Sequence, residues 1–503
     1  MSPLEGLAYG FSVALSPENL GAALLGAVLG TLVGVLPGIG PVGAMALLLP
    51  LTLHMPPQTA LIMLAAIYYG SMYGGSTTSI LLNVPGEAAS VITTIEGYQL
   101  ARKGRAGAAL AVAAVGSFVA GTLGVIGLML FAPALSRVAL SFGVPEFFSL
   151  ALLGLLALSR VSGGRFWPGM LVLGLGLALA TVGLDPISGQ ARFTFGVVEL
   201  QQGIDLVPVV MGLYGIAEVL SVAEQGGGMP RLTGVRLREL FPTLDEWRRS
   251  FPAILRGTFL GFLIGLIPGP STVLSTFVSY NIERRLSRRR AEVGRGAIEG
   301  VAGPESANNA ATSGAMVPML SLGIPFSPAT AMLLAALLVQ GVRPGPLLVR
   351  EYPAVFWGVI ASMYIGNLAL LILNLPLVGI WASVLRLPQS VLLTVVLLLT
   401  LVGAYSINNS LLDLSVLLAA GVVGYIFRKV QFDPAPMVLA LVLGPILENS
   451  FRQSLFMSQG SLLIFIQRPI SALLFGASAA VLLAPLAWRA VKPIVPAGEQ
   501  AHG

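Results

Sequence analysis

Hydrophobic positions along this chain come in long runs, and polar residues fall in short bursts between and inside them. The runs approach the roughly 20 residues needed to cross hydrocarbon. The first, residues 20–53, is too long for one straight span, and Pro37-Gly38 cuts it near the middle. Two legs of about 15 residues meeting at a Pro-Gly turn predict a re-entrant hairpin or a discontinuous helix. A second pair of legs follows, 60–82 and 88–100, broken at Asn-Val-Pro-Gly-Glu and closed by Arg102, Lys103 and Arg105. Further spans are predicted at about 107–133, 146–160, 166–183 and 205–222. The stretch 225–256, with six arginines against three acids, reads as a cytoplasmic linker.

The pattern then starts again. GTLVGVLPG at 30–38 returns as GFLIGLIPG at 261–269, sharing G-x-x-x-G-x-x-P-G. Leu-Asn-Val-Pro at 82–85 matches Leu-Gly-Ile-Pro at 322–325, and Val-Pro-Glu at 144–146 matches Leu-Pro-Gln at 387–389. Asp185-Pro186 matches Asp433-Pro434, and Gly-Ile-Ala-Glu at 215–218 echoes Gly-Pro-Ile-Leu-Glu at 444–448. Five matches in one order indicate an internal duplication: repeat one at 20–224, the linker at 225–250, repeat two at 251–455, and an extra helix with a tail at 456–503. Four spans between the repeats make them parallel. If 205–222 only lies at the interface, three remain and the repeats are inverted, the arrangement favoured here because internal duplication is the habit of secondary transporters, which commonly invert their repeats.

Composition fixes the class. With 55% hydrophobic residues, 10% charged residues and a mean hydropathy of +0.87, the 503-residue chain is expected to be an all-α polytopic integral membrane protein built of two homologous repeats with broken or re-entrant hairpins. Net charge is +6, but the arginines occupy short loops between apolar runs, which fits the positive-inside rule and not nucleic-acid binding. The first twenty residues lack the basic region and cleavage site of a signal peptide and read as a short interfacial segment. No cysteine is present, so disulfides, thiolate metal sites and a cysteine nucleophile are excluded, and two histidines do not make a His-rich metal site. His54 reads as an interfacial residue at a helix end.

Two polar bursts carry the candidate chemistry. The first holds Ser76, Thr77, Thr78 and Ser79 and ends at Asn83, before Glu87; the second, GPESANNAATSG at 303–314, holds Glu305, Ser306, Asn308, Asn309, Thr312 and Ser313. Each precedes a proline break, so the two are placed to face each other across the repeat axis. The bland alternative makes the first a closely packed helix whose hydroxyls bond back to their own backbone, and the second a surface loop. Arg248, Arg249 and Arg256 precede the Pro268-Gly269-Pro270 break and six arginines at 284–295 follow it, which favours a hairpin entering and leaving on the cytoplasmic side.

GTLVGVLPGIGP, YYGSMYGGSTTSILLNVPGEAASV, PESANNAATSGAMVPMLSLGIP and VLGPILENSFRQSL resemble the large membrane subunit of tripartite tricarboxylate transporters, over residues 21–469. The resemblance implies a bacterial inner-membrane permease that works with a small membrane subunit and a periplasmic substrate-binding protein. It also implies import of citrate or another carboxylate by ion-driven symport.

The residues agree with an anion path. No Lys or Arg occurs in 257–283 or 296–341, so a carboxylate is to be held by helix N-termini at the breaks, backbone N–H groups and side-chain donors. The substrate-binding candidates are Gly38, Gly40, Ser76, Thr77, Thr78, Ser79, Asn83, Gly269, Ser306, Asn308, Asn309, Thr312 and Ser313. Glu87 and Glu305 are the candidates for handling Na+ or H+, with a headgroup-level surface charge as the alternative for each. No cofactor is expected beyond that coupling ion. The chain lacks a P-loop, a G-x-S-x-G elbow and H-E-x-x-H, so it is not expected to be an enzyme. The rivals are a passive channel or structural subunit, and a membrane enzyme acting on lipid, for which a D-x-x-x-D motif is missing.

Overall fold

The computed structural model describes residues 2–36, 39–161, 166–225, 241–287, 289–384 and 389–491. Helix α1 (Pro3–Ala14) leads into α2 (Pro17–Val35), α3 (Gly40–Leu48), α4 (Pro57–Leu82), α5 (Val91–Arg102), the long α6 (Ala106–Ala139), α7 (Val144–Val161) and α8 (Phe166–Ala180). A small antiparallel pair, β1 (Gly183–Leu184) and β2 (Ala191–Arg192), precedes α9 (Leu206–Val210), which runs through a π-helical stretch into α10 (Ala217–Gln225). The chain continues with α11 (Leu244–Gly265), α12 (Ser271–Leu286), α13 (Glu299–Leu322), α14 (Pro328–Val339), α15 (Leu348–Glu351) and α16 (Pro353–Asn374). It ends with α17 (Val378–Val384), α18 (Gln389–Asn408), α19 (Leu411–Lys429), α20 (Ala435–Met457), α21 (Ile464–Gln467) and α22 (Pro469–Val491). Five stretches among the described residues are long and apolar enough to cross a membrane, α2, α6, the α9–α10 unit, α16 and α19. The fold is an all-α polytopic one, as the run lengths predict.

Two helix pairs form the centre, and small residues decide how close they come. A Cβ on Gly26 or Gly30 of α2 would lie 2.5 Å from the carbonyl oxygen of Met63 or Ile67 on α4, and Gly34 stands against Ser71 in the same way. Gly257, Gly261 and Gly265 of α11, each 231 positions after its counterpart, press on the carbonyls of Gly303, Ala307 and Ala311 of α13. Backbone meets backbone along both seams, the packing small residues permit inside a membrane.

Both central helices end alike. α4 stops at Asn83, in the left-handed conformation at φ 61, two residues before Pro85; α13 stops at Gly323, φ 69, two residues before Pro325. Proline cannot carry the helix on, and the left-handed cap turns the chain out. Four residues further on, Glu87 (φ −146, ψ 167) and Ser327 (φ −142, ψ 158) take one extended conformation as the caps of the next helical turns.

The contacts also set direction. Ser76 of α4 bonds Glu305 of α13 and Tyr69 bonds Met316, so the two helices run antiparallel. At one end, Arg105 after α5 pairs with Glu246 of α11, Arg256 of α11 with Glu283 of α12 at 2.5 Å, and Arg249 with Glu299 of α13 at 2.6 Å. The α11–α12 hairpin therefore opens at this basic end, as its flanking arginines predict. At the opposite end Gln340, just past α14, donates to the Thr52 carbonyl after α3 at 2.8 Å, so the α2–α3 hairpin opens there.

Both counts change: the 205–222 stretch is the α9–α10 unit, long and apolar enough to cross, so the interfacial reading that leaves three spans fails, and so do the parallel halves that four spans give. Gly75 lies against Ser90 and Gly97 against Ile80, so α5 continues in the direction of α4. α4 and α5 therefore run as one continuing path, and the two hairpins open at opposite ends, so the second set of elements is inverted relative to the first.

Candidate functional site

A cavity of about 340 Å3 lies where the breaks of both halves converge. Its wall takes residues 39–42 from the start of α3, 85–89 from the turn before α5, Pro270, Thr272 and Val273 from the start of α12, and 327–329 from the start of α14. Pro434 and Ala435 bring the start of α20 to the same space. Prolines at or beside these starts (Pro41, Pro270, Pro328, Pro434) fix φ where an N–H has no helical partner to lose. Helix starts leave N–H groups unsatisfied and carry partial positive charge. Several converging on one cavity make it a place for an anion.

Side chains sharpen this. Arg428, in the last turn of α19, reaches the cavity and pairs with Glu218 of α10, and Tyr214 from the π-helical stretch and Tyr68 of α4 add two phenols. Two carboxylates share the lining, Asp433 and Glu87. Glu87 is buried and accepts a 2.8 Å hydrogen bond from the Asn308 amide, while the Tyr68 hydroxyl lies beside Thr312 and Ser327. Residues 68 and 308, like 87 and 327, stand 240 positions apart on matching elements. The two walls are thus counterparts with different chemistry, Glu87 with Asn308 on one side and Ser327 with Tyr68 on the other.

A family model, the Tripartite tricarboxylate transporter TctA family, matches residues 20–439. This chain belongs to that family. The TctA-family chain is 46% identical over 487 residues to an Agrobacterium vitis protein described as "Uncharacterized 52.8 kDa protein in TAR-I ttuC' 3'region", covering 97% of each. It is 47% identical over 216 residues to a second protein of that organism, "Uncharacterized protein in TAR-II ttuC' 3'region", covering 43% of this chain and 89% of that one. No solved structure matches it.

Within this TctA-family fold the sequence candidates separate into three groups. Gly40 and Glu87 line the cavity, and Asn308 touches it through Glu87. Gly269 sits beside it, its N–H donating to the Phe326 carbonyl at 2.9 Å and so tying the two breaks of the second half together. Gly38 lies outside the described residues.

The rest are inside the helix pair. Ser76 and Thr93 both donate to buried Glu305, Thr78 to the Val35 carbonyl of α2 at 2.8 Å, and Ser79 to its own helix at Gly75. Thr77 is buried in α4, and Asn83 is the exposed cap of that helix. The second burst is no surface loop: it is the buried middle of α13. There Ser306 and Thr312 bond back to Ala302 and Asn308, Asn309 reaches Ser117 on α6, and Ser313 packs on Gly124. His54 is exposed in the turn after α3.

Sequence reasoning missed Arg428, Tyr214, Asp433 and Tyr68. The one signal for Asp433 was its match to Asp185 in the repeat, and Tyr68 lies in the leg of the first burst, two turns before it; Arg428 and Tyr214 sit in spans that spacing alone does not assign to the centre.

Outside the membrane-spanning helices, Asp185 holds the β1–β2 hairpin to α20. It accepts from the Ser188 and Ile187 N–H groups and from Arg452 at 2.8 Å, while Arg192 pairs with Glu448 at 2.8 Å. The Ser188 N–H first, then Arg452, keep its carboxyl well below the usual carboxylate range.

Proposed function

We propose that this chain is the permease subunit through which a tricarboxylate or related carboxylate crosses the bacterial inner membrane, driven by a coupled cation, Na+ or H+. The basic end faces the cytoplasm. A periplasmic binding protein delivers substrate at the opposite end, and a small membrane subunit completes the assembly. Residues 20–224 and 251–455 act as two transport repeats, 225–250 as a cytoplasmic linker and 456–503 as an added helix and tail. The chain performs no covalent chemistry.

One observation carries this reading: helix starts from both halves and the Arg428 guanidinium surround one cavity that also holds Glu87. The starts and the arginine supply what a carboxylate substrate needs. Glu87 repels that substrate unless a proton or metal cation accompanies it, and this links anion entry to cation entry. Glu305, buried between α4 and α13 and held by Ser76 and Thr93, is the second carboxylate available to the cation. Ser76–Ser79 and Ser306–Ser313 then serve the site by shaping the helix pair behind it, with Asn308 orienting Glu87.

The test is uptake of labelled citrate into proteoliposomes containing this chain with its small subunit and binding protein, under imposed Na+ or proton gradients. Gradient-driven accumulation in wild type, with loss of accumulation but persistence of citrate exchange in Glu87→Gln, is expected. Uptake that ignores every cation gradient contradicts the coupling, and unchanged uptake in Arg428→Gln contradicts the site.

A further inference from the structure

Basic residues gather where α12 ends. Arg284 and Arg285 lie in its last turn and Arg290 in the short turn that follows; with Asn281 and Val293 they wall a recess of about 560 Å3. The Arg290 guanidinium donates to the Arg285 carbonyl at 2.9 Å, which folds the chain back over the helix end and keeps the three cations around one space. Nearby acids are engaged elsewhere, Glu283 with Arg256 and Glu292 with Arg249 and Arg289. Among the described residues, no acid pairs with Arg284, Arg285 or Arg290. Three like charges around one recess repel each other until an anion lies among them.

The same face of α12 is apolar further along. Leu274, Phe277, Asn281 and Arg285 follow one another at spacings of three and four, so they form a single stripe. Leu274 is 38% and Phe277 43% exposed, and neighbouring α11 exposes Phe259 at 69%. At the helical rise, Arg285 lies about 12 Å beyond Phe277. An acyl chain against Leu274 and Phe277 therefore brings its phosphate to the level of the arginines.

We propose that this recess binds the headgroup phosphate of an anionic phospholipid whose acyl chains lie along the outer face of α12. The apolar stripe selects lipid over free phosphate, because an inorganic ion makes no use of it. The start of α12, at Pro270 and Thr272, forms part of the cavity wall, so a lipid held at its other end steadies one leg of the hairpin that shapes the cavity. The site is independent of what the cavity carries.

The experiment measures the thermal unfolding midpoint of the purified full-length chain in detergent. Phosphatidylglycerol, phosphatidylcholine or inorganic phosphate is titrated in. Phosphatidylglycerol is expected to raise the midpoint and the other two to leave it in place. The triple variant R284Q/R285Q/R290Q is expected to need roughly tenfold or more phosphatidylglycerol for the same shift. A control variant with Arg102, Lys103 and Arg295 changed to Gln loses the same charge from the same end and is expected to respond like wild type. Where the triple variant does not fold, Arg290→Gln alone is read by the phosphatidylglycerol retained in native mass spectrometry. Equal responses of the two triple variants, equal stabilisation by inorganic phosphate, or no response to phosphatidylglycerol each overturn the proposal.

Discussion

Asn308 of α13 donates a 2.8 Å hydrogen bond to Glu87 at the start of the turn into α5, joining the two halves of the chain at the cavity wall. Asn308 is fully buried, so its loss is felt by the carboxylate and not by water. Asn308→Leu leaves Glu87 without that donor and is expected to lower stability by roughly 1–3 kcal/mol. Asn308→Asp sets a second carboxylate against the first and is expected to abolish transport at neutral pH while restoring part of it as the pH falls. Thermal unfolding and uptake read the two effects separately, and wild-type behaviour of both variants contradicts the assignment.

The glycine seams give a sharper packing test. Gly30→Val and Gly261→Val each drive a side chain into a carbonyl oxygen of the facing helix, whereas Gly21 has nothing within 4 Å. Overpacking is expected to cost about 1–3 kcal/mol or more at either seam and close to nothing for Gly21→Val. Comparable losses at all three positions in a denaturation series contradict the seam.

The β1–β2 hairpin supplies a pH test. Asp185 ionises more easily in the folded chain than its ordinary value of about 3.9. A lowered folded value means that its contribution is fully present above the unfolded value and is lost as the pH falls toward the folded one. The gap in unfolding midpoint between wild type and Asp185→Asn is therefore expected to stay constant from pH 7 to about pH 5 and to narrow below about pH 4. A gap that widens on acidification contradicts the linkage.

The proposed orientation puts the basic end in the cytoplasm. The chain has no cysteine of its own, so a cysteine at Arg290 is expected to react with an impermeant thiol reagent only in inside-out vesicles, and one at Ser188 only in intact spheroplasts. Reversed labelling contradicts the orientation.

Much of this fold was legible because one motif pattern occurs twice along the chain. The G-x-x-x-G-x-x-P-G frame and the proline breaks reappear as matching seams and matching left-handed caps at Asn83 and Gly323. The polar bursts allowed two readings for a physical reason. A hydroxyl that lines a cavity and one that bonds its own helix four residues back look the same in sequence, and Ser79 and Ser306 are of the second kind. Glu87 and Gly40 were legible because each adjoins a break. Arg428 and Tyr214 were not, since the antiparallel pairing of α4 with α13 and the inverted order of the halves decide which distant helices close the cavity.

Substrate protection of single cysteines measures the central claim most directly, that both halves build one carboxylate site. Ala88 lies on the first half's wall and Thr272 on the second's, while Ser188 sits in the β1–β2 hairpin, outside the cavity lining. Cysteines at Ala88 and Thr272 are predicted to react with a small thiol reagent, and citrate is predicted to slow both reactions with the same half-saturation while leaving Ser188→Cys unchanged. Citrate that protects only one wall, or neither while transport continues, contradicts a shared site.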